Sequence, residues 1–280
     1  MLRDSITAYR SPPSDKHLKN RFAFTLVELL VVIAIIGVVM SLTIPAISSS
    51  REAARRNTCM NNLRQIGTAL QSYQLAKGTF PAGCVERRAW NDSTQQKRQL
   101  AWSAFILGHL DQQNLHEQID FSKAFDALEN QAVAATILEA YVCPTSSRGA
   151  RLVNGRGPID YGGIFGERIT GPNNPPKGMM LIDERLSIEQ CTDGATNTLI
   201  VAEDAAWPDG QWINGLNIFD QAFPINEAPE FENDIRSQHT EGANAVYVDA
   251  HVKFLPESTD PIVLAAICTR QGGETNTQID

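Results

Sequence analysis

The sequence predicts an α+β fold in which one long N-terminal helix packs on a domain of short strands and helices. Residues 24–47 form an apolar run, FTLVELLVVIAIIGVVMSLTIPAI, that contains a single formal charge. Residues 48–76 keep a helical period but are polar except for one stripe. After residue 146, glycine, proline and asparagine become frequent and the apolar runs shorten, which is typical of strands separated by turns.

The apolar run is long enough to cross a membrane as a helix. Its 24 residues would extend about 36 Å at about 1.5 Å per residue, and a hydrocarbon core is about 30 Å thick. Pro45 lies near the end of the run and cannot donate a backbone N–H, so we expect it to bend the helix. The chain is therefore expected to be a single-pass membrane protein.

Glu28 is the one charged residue of this run. A carboxylate within hydrocarbon costs about 2 to 3 kcal/mol and marks a functional position by default. The preceding segment, 19–23, is short and basic, with the sequence KNRFA. A cut between Ala23 and Phe24 would free an amino group one helical turn from Glu28, and this amine would supply the missing positive charge.

The run FTLVELLVVIAIIGVV after Ala23 resembles the class III signal of type IV prepilins and pseudopilins. The resemblance implies that a prepilin peptidase removes the leader 1–23, that the new N-terminal Phe24 is methylated and that Glu28 is required for assembly. Pro45 matches the helix-kinking proline of that family, whereas Ala23 stands where the family usually has glycine. The alternative is an uncleaved signal anchor. A secretory signal peptide fits less well, because its apolar region is about 7 to 15 residues long.

The length and composition allow a sizeable buried core in one or two domains, and the charge argues against a nucleic-acid partner. The chain has 280 residues, of which 42% are hydrophobic and 20% charged, and its formal net charge is −8. The first 23 residues carry five basic and two acidic side chains, so their removal would change the net charge to −11. Such an acidic chain lacks the basic face that phosphate groups need.

The five cysteines are far apart in the sequence and lie at Cys59, Cys84, Cys143, Cys191 and Cys268. They form no CxxC pair and accompany no cluster of histidines, so the sequence predicts no metal site. The pilin resemblance places Cys59 and Cys143 where relatives often carry cysteine, which makes them the expected disulfide. Buried free thiols are the alternative interpretation.

The remaining elements follow from periodicity and turn residues. The polar half of the first helix carries an apolar stripe at three- and four-residue spacing: Met60, Leu63, Ile66, Leu70 and Tyr73. Further helices are predicted over 102–119, 127–140 and 262–270, the last capped by Asp260 and Pro261. Strands or loop edges are predicted over 158–166, 179–182, 186–191 and 196–203. The exported domain is therefore expected to span 77–280 and to contain an antiparallel sheet.

The segment 203–234 is rich in acidic residues, among them Asp204, Asp209, Asp220, Glu227, Glu230, Glu232 and Asp234. Some pseudopilins bind calcium with loop carboxylates, so calcium is the one candidate cofactor that the resemblance implies. The spacing does not fit an EF-hand, and a solvated acidic loop is the favoured interpretation. His109 and His116 lie without a nearby acidic or thiol ligand and are interpreted as solvated or core histidines.

A second motif is HTEGANAVYVDAHVKFL, residues 239–255. Its alternation predicts a β-hairpin with a two-residue turn at Asp249 and Ala250. It resembles a His-x9-Asp-Gly motif that ends a large family of pilin-like proteins of poorly defined role, with Ala250 in place of glycine. A type I′ turn needs positive φ at both central residues, which costs a non-glycine residue about 1 kcal/mol. His239 and Asp249 suggest an acid–base pair, but no recognisable nucleophile accompanies them, so a structural hydrogen bond or exposed hairpin positions are favoured.

The combined expectation is a structural subunit without enzymatic activity. Prepilin peptidase and methylase would process it, and its apolar helix would assemble laterally with sister subunits, on an inner-membrane platform, into a type IV pilus-like or type II secretion-like filament. Glu28 would pair with the methylated amine of Phe24 on a neighbour. The N-terminus would be cytoplasmic and the globular domain periplasmic or extracellular. The alternative is a membrane-anchored envelope binding protein or enzyme that uses this export route, which would need a concave site with convergent polar groups.

Overall fold

A computed structural model describes residues 25–89 and 96–273 of the chain. The chain divides into two compact units, Met1–Ser49 and Ser50–Asp280. The described helices are α1 (Leu26–Lys77), α2 (Trp102–Phe105), α3 (Gln113–Glu117), α4 (Leu128–Ala134) and α5 (Pro261–Ile267). The described strands are β1 (Cys84–Val85), β2 (Leu100–Ala101), β3 (Tyr161–Glu167), β4 (Leu199–Glu203), β5 (Ile218–Gln221), β6 (Gly242–Tyr247) and β7 (Val252–Pro256). The α+β class with a long N-terminal helix is confirmed.

In the first unit, α1 exposes its apolar side chains along the whole segment 26–47. By length and composition it is the one helix, among the residues described, that is able to cross a membrane. The hydroxyl groups of Ser41 and Ser48 donate to the backbone carbonyls of Val38 and Ile44, so they need no water. Pro45 lies inside the helix, and the bend expected there stays a prediction.

In the second unit, α1 packs on the protein core with the predicted stripe. Leu63, Ile66 and Leu70 are fully buried, Tyr73 is nearly so, and Cys59 rather than Met60 takes the first buried position. Polar residues on this helix face also have partners. Asn62 is buried and its side-chain amide donates to the carbonyl of Val142 at 3.1 Å.

The main sheet has five strands in the order β5-β3-β4-β6-β7. Strand β4 is antiparallel to β3 and β6, and β6 is antiparallel to β7, as the sequence predicts. The outer pair β3–β5 is parallel, which corrects the prediction of a wholly antiparallel sheet. The long connection from β3 through β4 to β5 allows this arrangement, because parallel neighbours need a crossover of a dozen or more residues.

The sheet separates two apolar cores, one on each face. The larger core contains Leu63 and Ile66 of α1 together with Val246 of β6. The second core contains Tyr247, the next residue of β6, with Leu264 of α5. Successive residues of a strand point to opposite faces, so β6 contributes to both cores. The second unit therefore has three layers, with the sheet between α1 and α5.

Several predicted elements are shorter or of another type. The predicted helix 102–119 is broken into α2, a 3-10 turn and α3. Between the 3-10 turn and α3, Asp111 adopts a φ of 57°, which no helix continues. The helix predicted over 127–140 ends early, as α4, and a separate 3-10 turn follows. The strand predicted over 186–191 is a 3-10 turn, Ile188–Gln190, closed by a capping box from Ser187. The C-terminal helix starts at Pro261 with Asp260 as its cap, as predicted.

The β6–β7 hairpin has a three-residue loop, 248–250, rather than the predicted two-residue turn. The amide of Tyr247 donates to the carbonyl of His251, and the amide of Ala250 donates back to the carbonyl of Tyr247. Ala250 adopts a φ of 72°, whereas Asp249 has no positive φ. A type I turn followed by one left-handed residue explains this loop. It needs only one strained position, whereas a type I′ turn would need two.

We predict that Ala250→Gly stabilises the second unit. Glycine relieves the left-handed strain of about 1 to 2 kcal/mol but adds unfolded-state entropy, so the net gain in unfolding free energy is about 0.5 to 1 kcal/mol. Denaturant titration of the full chain in detergent, followed by tryptophan fluorescence, measures it. The matched control is Ala53→Gly on the exposed face of α1, which should lose about 1 kcal/mol. A loss at both positions would contradict the prediction.

Candidate functional site

The described part of the N-terminal segment starts with a hydrogen-bonded cap at Glu28. The hydroxyl and the backbone amide of Thr25 both donate to Glu28 Oε2, at 2.7 and 2.8 Å. The amide of Glu28 donates to the Thr25 hydroxyl at 3.2 Å. This is a capping box, and the pattern Thr-x-x-Glu at 25–28 could have predicted it. The cleavage residues Ala23 and Phe24 lie outside the described residues, so cleavage and methylation stay predictions.

His239, the first residue of the C-terminal motif, is buried between two carboxylates. Its Nδ1 lies 2.6 Å from Oε1 of Glu52 on α1, and its Nε2 lies 3.4 Å from Oε1 of Glu203 on β4. The side chains of His239 and Glu203 are both fully buried, and that of Glu52 is 20% exposed. His239 therefore connects the first helix of the second unit to the middle of its sheet.

The charges around His239 alternate along one row of side chains. Arg55 pairs with Glu52 at 2.9 Å, Glu52 contacts His239, and His239 contacts Glu203. Burial by itself lowers the pKa of His239, but the hydrogen bonds and charges of Glu203 and Glu52 outweigh it, and the pKa is raised. The backbone amide of Asn244 donates to Glu203 at 2.7 Å. The row thus has no net charge when the imidazole is protonated, which offsets the desolvation of its members.

Asp249, the second residue of the motif, has a different partner from the one suggested by the sequence. Its carboxylate lies 2.6 Å from Nδ1 of His251, on the exposed end of the hairpin. Within the described part of the chain, no hydrogen bond or ion pair joins it to His239. His239 and Asp249 therefore do not form an acid–base pair, in agreement with the interpretation favoured from the sequence. No sequence pattern indicates Glu52 and Glu203 as partners of His239, because both lie far from the motif along the chain.

The hairpin loop 248–250 makes the other contact of the motif with α1. A Cβ atom at Gly67 would lie 2.7 Å from Val246 Cγ2 and 3.1 Å from Ala250 Cα, so glycine allows the loop to approach the helix. The side-chain amide of Gln71 donates to the carbonyl of Val248. Glu52 and Gly67 are separated by about 22 Å along the helix. We call His239 and the loop 248–250 together the helix clamp, because they hold α1 at two levels.

A disulfide lies beside His239. It joins Cys59 of α1 to Cys143, and Cys143 Sγ lies 3.5 Å from His239 Nε2. Among the residues that the structure describes, one group has metal-ligating atoms in mutual reach: Cys59, Cys143, Glu203 and His239, with donor atoms within 4.8 Å of one another. No spacing in the sequence indicates this group, because its members come from four distant segments. The other three cysteines are buried free thiols.

The acidic segment 203–234 does not form one loop of carboxylates. Asp204 pairs with Arg236 at 3.0 Å inside the protein, and burial raises the pKa of Asp204 to about 8. Asp234 accepts a hydrogen bond from the amide of Ala222. His109 and His116 also lie apart from this segment, against Tyr73 and Phe121.

An open cavity of about 990 Å³ lies beside β3 and β5. Its lining includes several charged and aromatic side chains, among them Arg168, Asp220, Glu232, Phe219 and Phe231. Arg168 lies 3.6 Å from Asp220 and 3.2 Å from Glu232, so these charges pair with one another.

Two family models match the chain. The model described as "Protein of unknown function (DUF1559)" matches residues 48–217 and 214–262. The model described as "Prokaryotic N-terminal methylation motif" matches residues 18–44. The first match extends over more than half of the chain and includes the complete helix clamp. The second includes the whole segment around Glu28.

Curated relatives match about a fifth of the chain. The Type II secretion system core protein G of Pectobacterium carotovorum subsp. carotovorum is 36% identical over 59 residues, which cover 21% of this chain and 38% of that protein. The protein of the same name from Klebsiella pneumoniae is 34% identical over 64 residues, covering 23% and 46%. The chain thus spans less than half the length of these relatives. A search of solved structures finds no match.

We predict that His239→Ala destabilises the second unit by about 3 to 5 kcal/mol, because Glu203 would stay buried without its charge partner. Denaturant titration of the full chain measures the loss. The double variant Glu203→Gln/His239→Ala should be more stable than His239→Ala alone. The matched control is His251→Ala, on the exposed end of the hairpin, which should cost less than about 1 kcal/mol. Equal losses for the two single histidine variants would refute a structural role for the buried pair.

Proposed function

The chain belongs to the family described as protein of unknown function (DUF1559) and carries a prokaryotic N-terminal methylation motif, and from this premise we propose that it is a structural, pseudopilin-like subunit. In this proposal, prepilin peptidase cuts between Ala23 and Phe24 and methylates Phe24. The apolar half of α1 then packs against the same segment of sister subunits in a type IV pilus-like or type II secretion-like filament. An inner-membrane platform assembles the subunits.

The observation that carries the proposal is Glu28 in an otherwise apolar, exposed helix segment. The apolar side chains of 26–47 are exposed in the single chain, and such a surface is covered either by lipid or by other helices. The carboxylate is tolerable within hydrocarbon only when another group neutralises it. Cleavage before Phe24 would create an amine for this purpose, and a packed bundle would bring it close.

Glu28 has two roles, as a member of the capping box with Thr25 and as a charge for assembly, and the two must be separated. Hydrogen bonds from Thr25 satisfy the carboxylate locally, but they leave its charge in place. Two neutral donors compensate only part of the desolvation of a carboxylate. We therefore assign the cap to the start of the helix and the charge to assembly.

A non-catalytic role for the C-terminal motif agrees with the geometry around it. His239 contacts carboxylates of two structural elements, and its side chain is fully buried. Asp249 contacts another histidine. We propose that the motif serves the packing of α1 on the sheet.

We also propose a topology for the chain. The second unit lies in the periplasm or outside the cell, and the N-terminus is cytoplasmic.

One observation favours the alternative of a membrane-anchored binding protein, namely the cavity beside β3 and β5. The described cations that line it are Arg87, Arg88, Lys97 and Arg168. Arg168 pairs with Asp220 and Glu232, and Arg88 pairs with Asp126. A ligand bound at Arg168 or Arg88 would need to displace these ion pairs, so the structural role is preferred. Filament assembly separates the two functions. The structural role predicts that Glu28 variants lose filaments and that Arg168→Ala, in the cavity, keeps them.

We predict that Glu28→Ala and Glu28→Gln are both cleaved before Phe24 but fail to enter filaments. Glutamine can still accept the capping-box hydrogen bond, so it preserves the cap and removes only the charge. N-terminal analysis of membrane-extracted protein measures cleavage, and the sheared filament fraction of cells with the assembly machinery measures incorporation.

The complementary control is Thr25→Ala, which removes the hydroxyl of the cap and keeps the carboxylate. This variant should still assemble. If Glu28→Gln assembled like the unsubstituted chain, Glu28 would act as a helix cap and the charge-pairing proposal would fail.

A further inference from the structure

Four residues with side chains that can bind a metal meet at His239 of the helix clamp. Cys59 comes from α1, Cys143 follows a 3-10 turn, Glu203 ends β4 and His239 precedes β6. All four are buried, and one donor atom of each lies within 4.8 Å of the other three. Two thiolates, one imidazole and one carboxylate form a ligand set that zinc accepts, and closed sites with four protein ligands are the structural type.

The spacing of the donor atoms matches one face of a tetrahedral site. Zinc–ligand bonds of about 2.0 to 2.3 Å put neighbouring tetrahedral ligands about 3.3 to 3.8 Å apart. His239 Nε2 lies 3.4 Å from Glu203 Oε1 and 3.5 Å from Cys143 Sγ. Cys143 Sγ lies 3.9 Å from Glu203 Oε1. An ion bound to these three atoms would need little movement of their side chains.

The residues behind the ligands hold them in orientation. Glu52 Oε1 lies 2.6 Å from His239 Nδ1 and Thr145 Oγ1 lies 3.3 Å from it, which leaves Nε2 directed at the cluster. A carboxylate behind a histidine is the usual outer partner in zinc sites. Asn244 holds Glu203 through its backbone and side-chain amides, at 2.7 and 3.1 Å.

The fourth ligand, Cys59, is bonded to Cys143 in the structure, so its thiolate becomes available only on reduction. Reduction adds two electrons and two protons to the disulfide and yields two thiols. A metal ion then replaces both thiol protons and the proton on His239 Nε2. A phosphine can supply the electrons, since it takes up the oxygen of one water molecule and becomes a phosphine oxide.

We propose that the reduced chain binds one zinc-class divalent ion through Cys59, Cys143, Glu203 and His239. The disulfide and the bound ion exclude each other, because both use the same two sulfur atoms. The reduced chain thus keeps α1 joined to β4 through the metal, and the oxidised chain keeps α1 joined to the segment of Cys143 through the disulfide. This inference is independent of filament assembly, because it concerns residues of the second unit alone.

The test uses the full chain in detergent, prepared with the disulfide intact or reduced by a phosphine without oxygen. Cobalt(II) is added as the probe, followed by zinc in competition. The reduced chain should bind one ion per molecule, with the visible absorption of tetrahedral cobalt and a sulfur-to-cobalt charge-transfer band. The oxidised chain should show neither band. This redox contrast needs no substitution, so it stays decisive even where a variant folds poorly.

Variants then identify the ligands. Cys143→Ser and His239→Ala should lose the charge-transfer band or change it, whereas Cys191→Ser, a matched control at a buried free thiol, should keep it. Glu52→Gln should weaken binding by about 10- to 100-fold without changing the cobalt spectrum. The proposal fails if the reduced chain binds no ion, if the oxidised chain binds equally well, or if Cys191→Ser loses as much affinity as Cys143→Ser.

Discussion

The buried imidazole of His239 is the interaction on which the packing of the second unit depends. It lies between a carboxylate of the helix and a carboxylate of the sheet, at 2.6 and 3.4 Å. Apolar packing alone would tolerate small shifts of α1 along the sheet, because most of its stripe consists of aliphatic side chains with similar shapes. The contact of Glu52 with His239 tolerates no such shift, since moving α1 by one helical turn would leave the buried imidazole with Glu203 alone. The polar row therefore specifies one position of the helix.

The second contact of the helix clamp, between the loop 248–250 and α1, depends on the small residues Ala250 and Gly67 rather than on charge. Ala250 carries a Cβ at a position where the resembling motif has glycine, and it accepts a φ of 72°. The facing residue of α1, Gly67, has no Cβ, and adding one there would bring it to 3.1 Å from Ala250. The Cβ atom of Ala250 therefore fits on the hairpin because Gly67 on the helix has no side chain. The pair shows why one position cannot be interpreted without the other.

The sequence predicted those parts of the fold that local patterns determine. The apolar run, the stripe with Leu63 and Ile66, and the cap at Asp260 depend on spacing within one segment. The structure contains the run as a helix from Leu26 onward, together with the stripe and the cap. The parallel β3–β5 pair and the partners of His239 depend on contacts between distant segments, for which a single sequence gives no spacing rule. The loop 248–250 shows an intermediate case. The alternation of residues 239–255 predicts the hairpin. The turn type depends on how many residues must adopt positive φ, which is one in the observed loop and two in a type I′ turn.

The cap at Glu28 also changes how its charge should be understood. Both donors of Thr25 reach the same oxygen, Oε2, and a carboxylate has a second oxygen with its own lone pairs. The cap therefore fixes the rotamer of Glu28 without using the whole group. A carboxylate that is already oriented loses less side-chain entropy when it meets a cationic partner, so the partner gains more from each contact. A neutral glutamine at position 28 would complete the capping box equally well, so in the proposed filament the negative charge of Glu28 serves the pairing between chains.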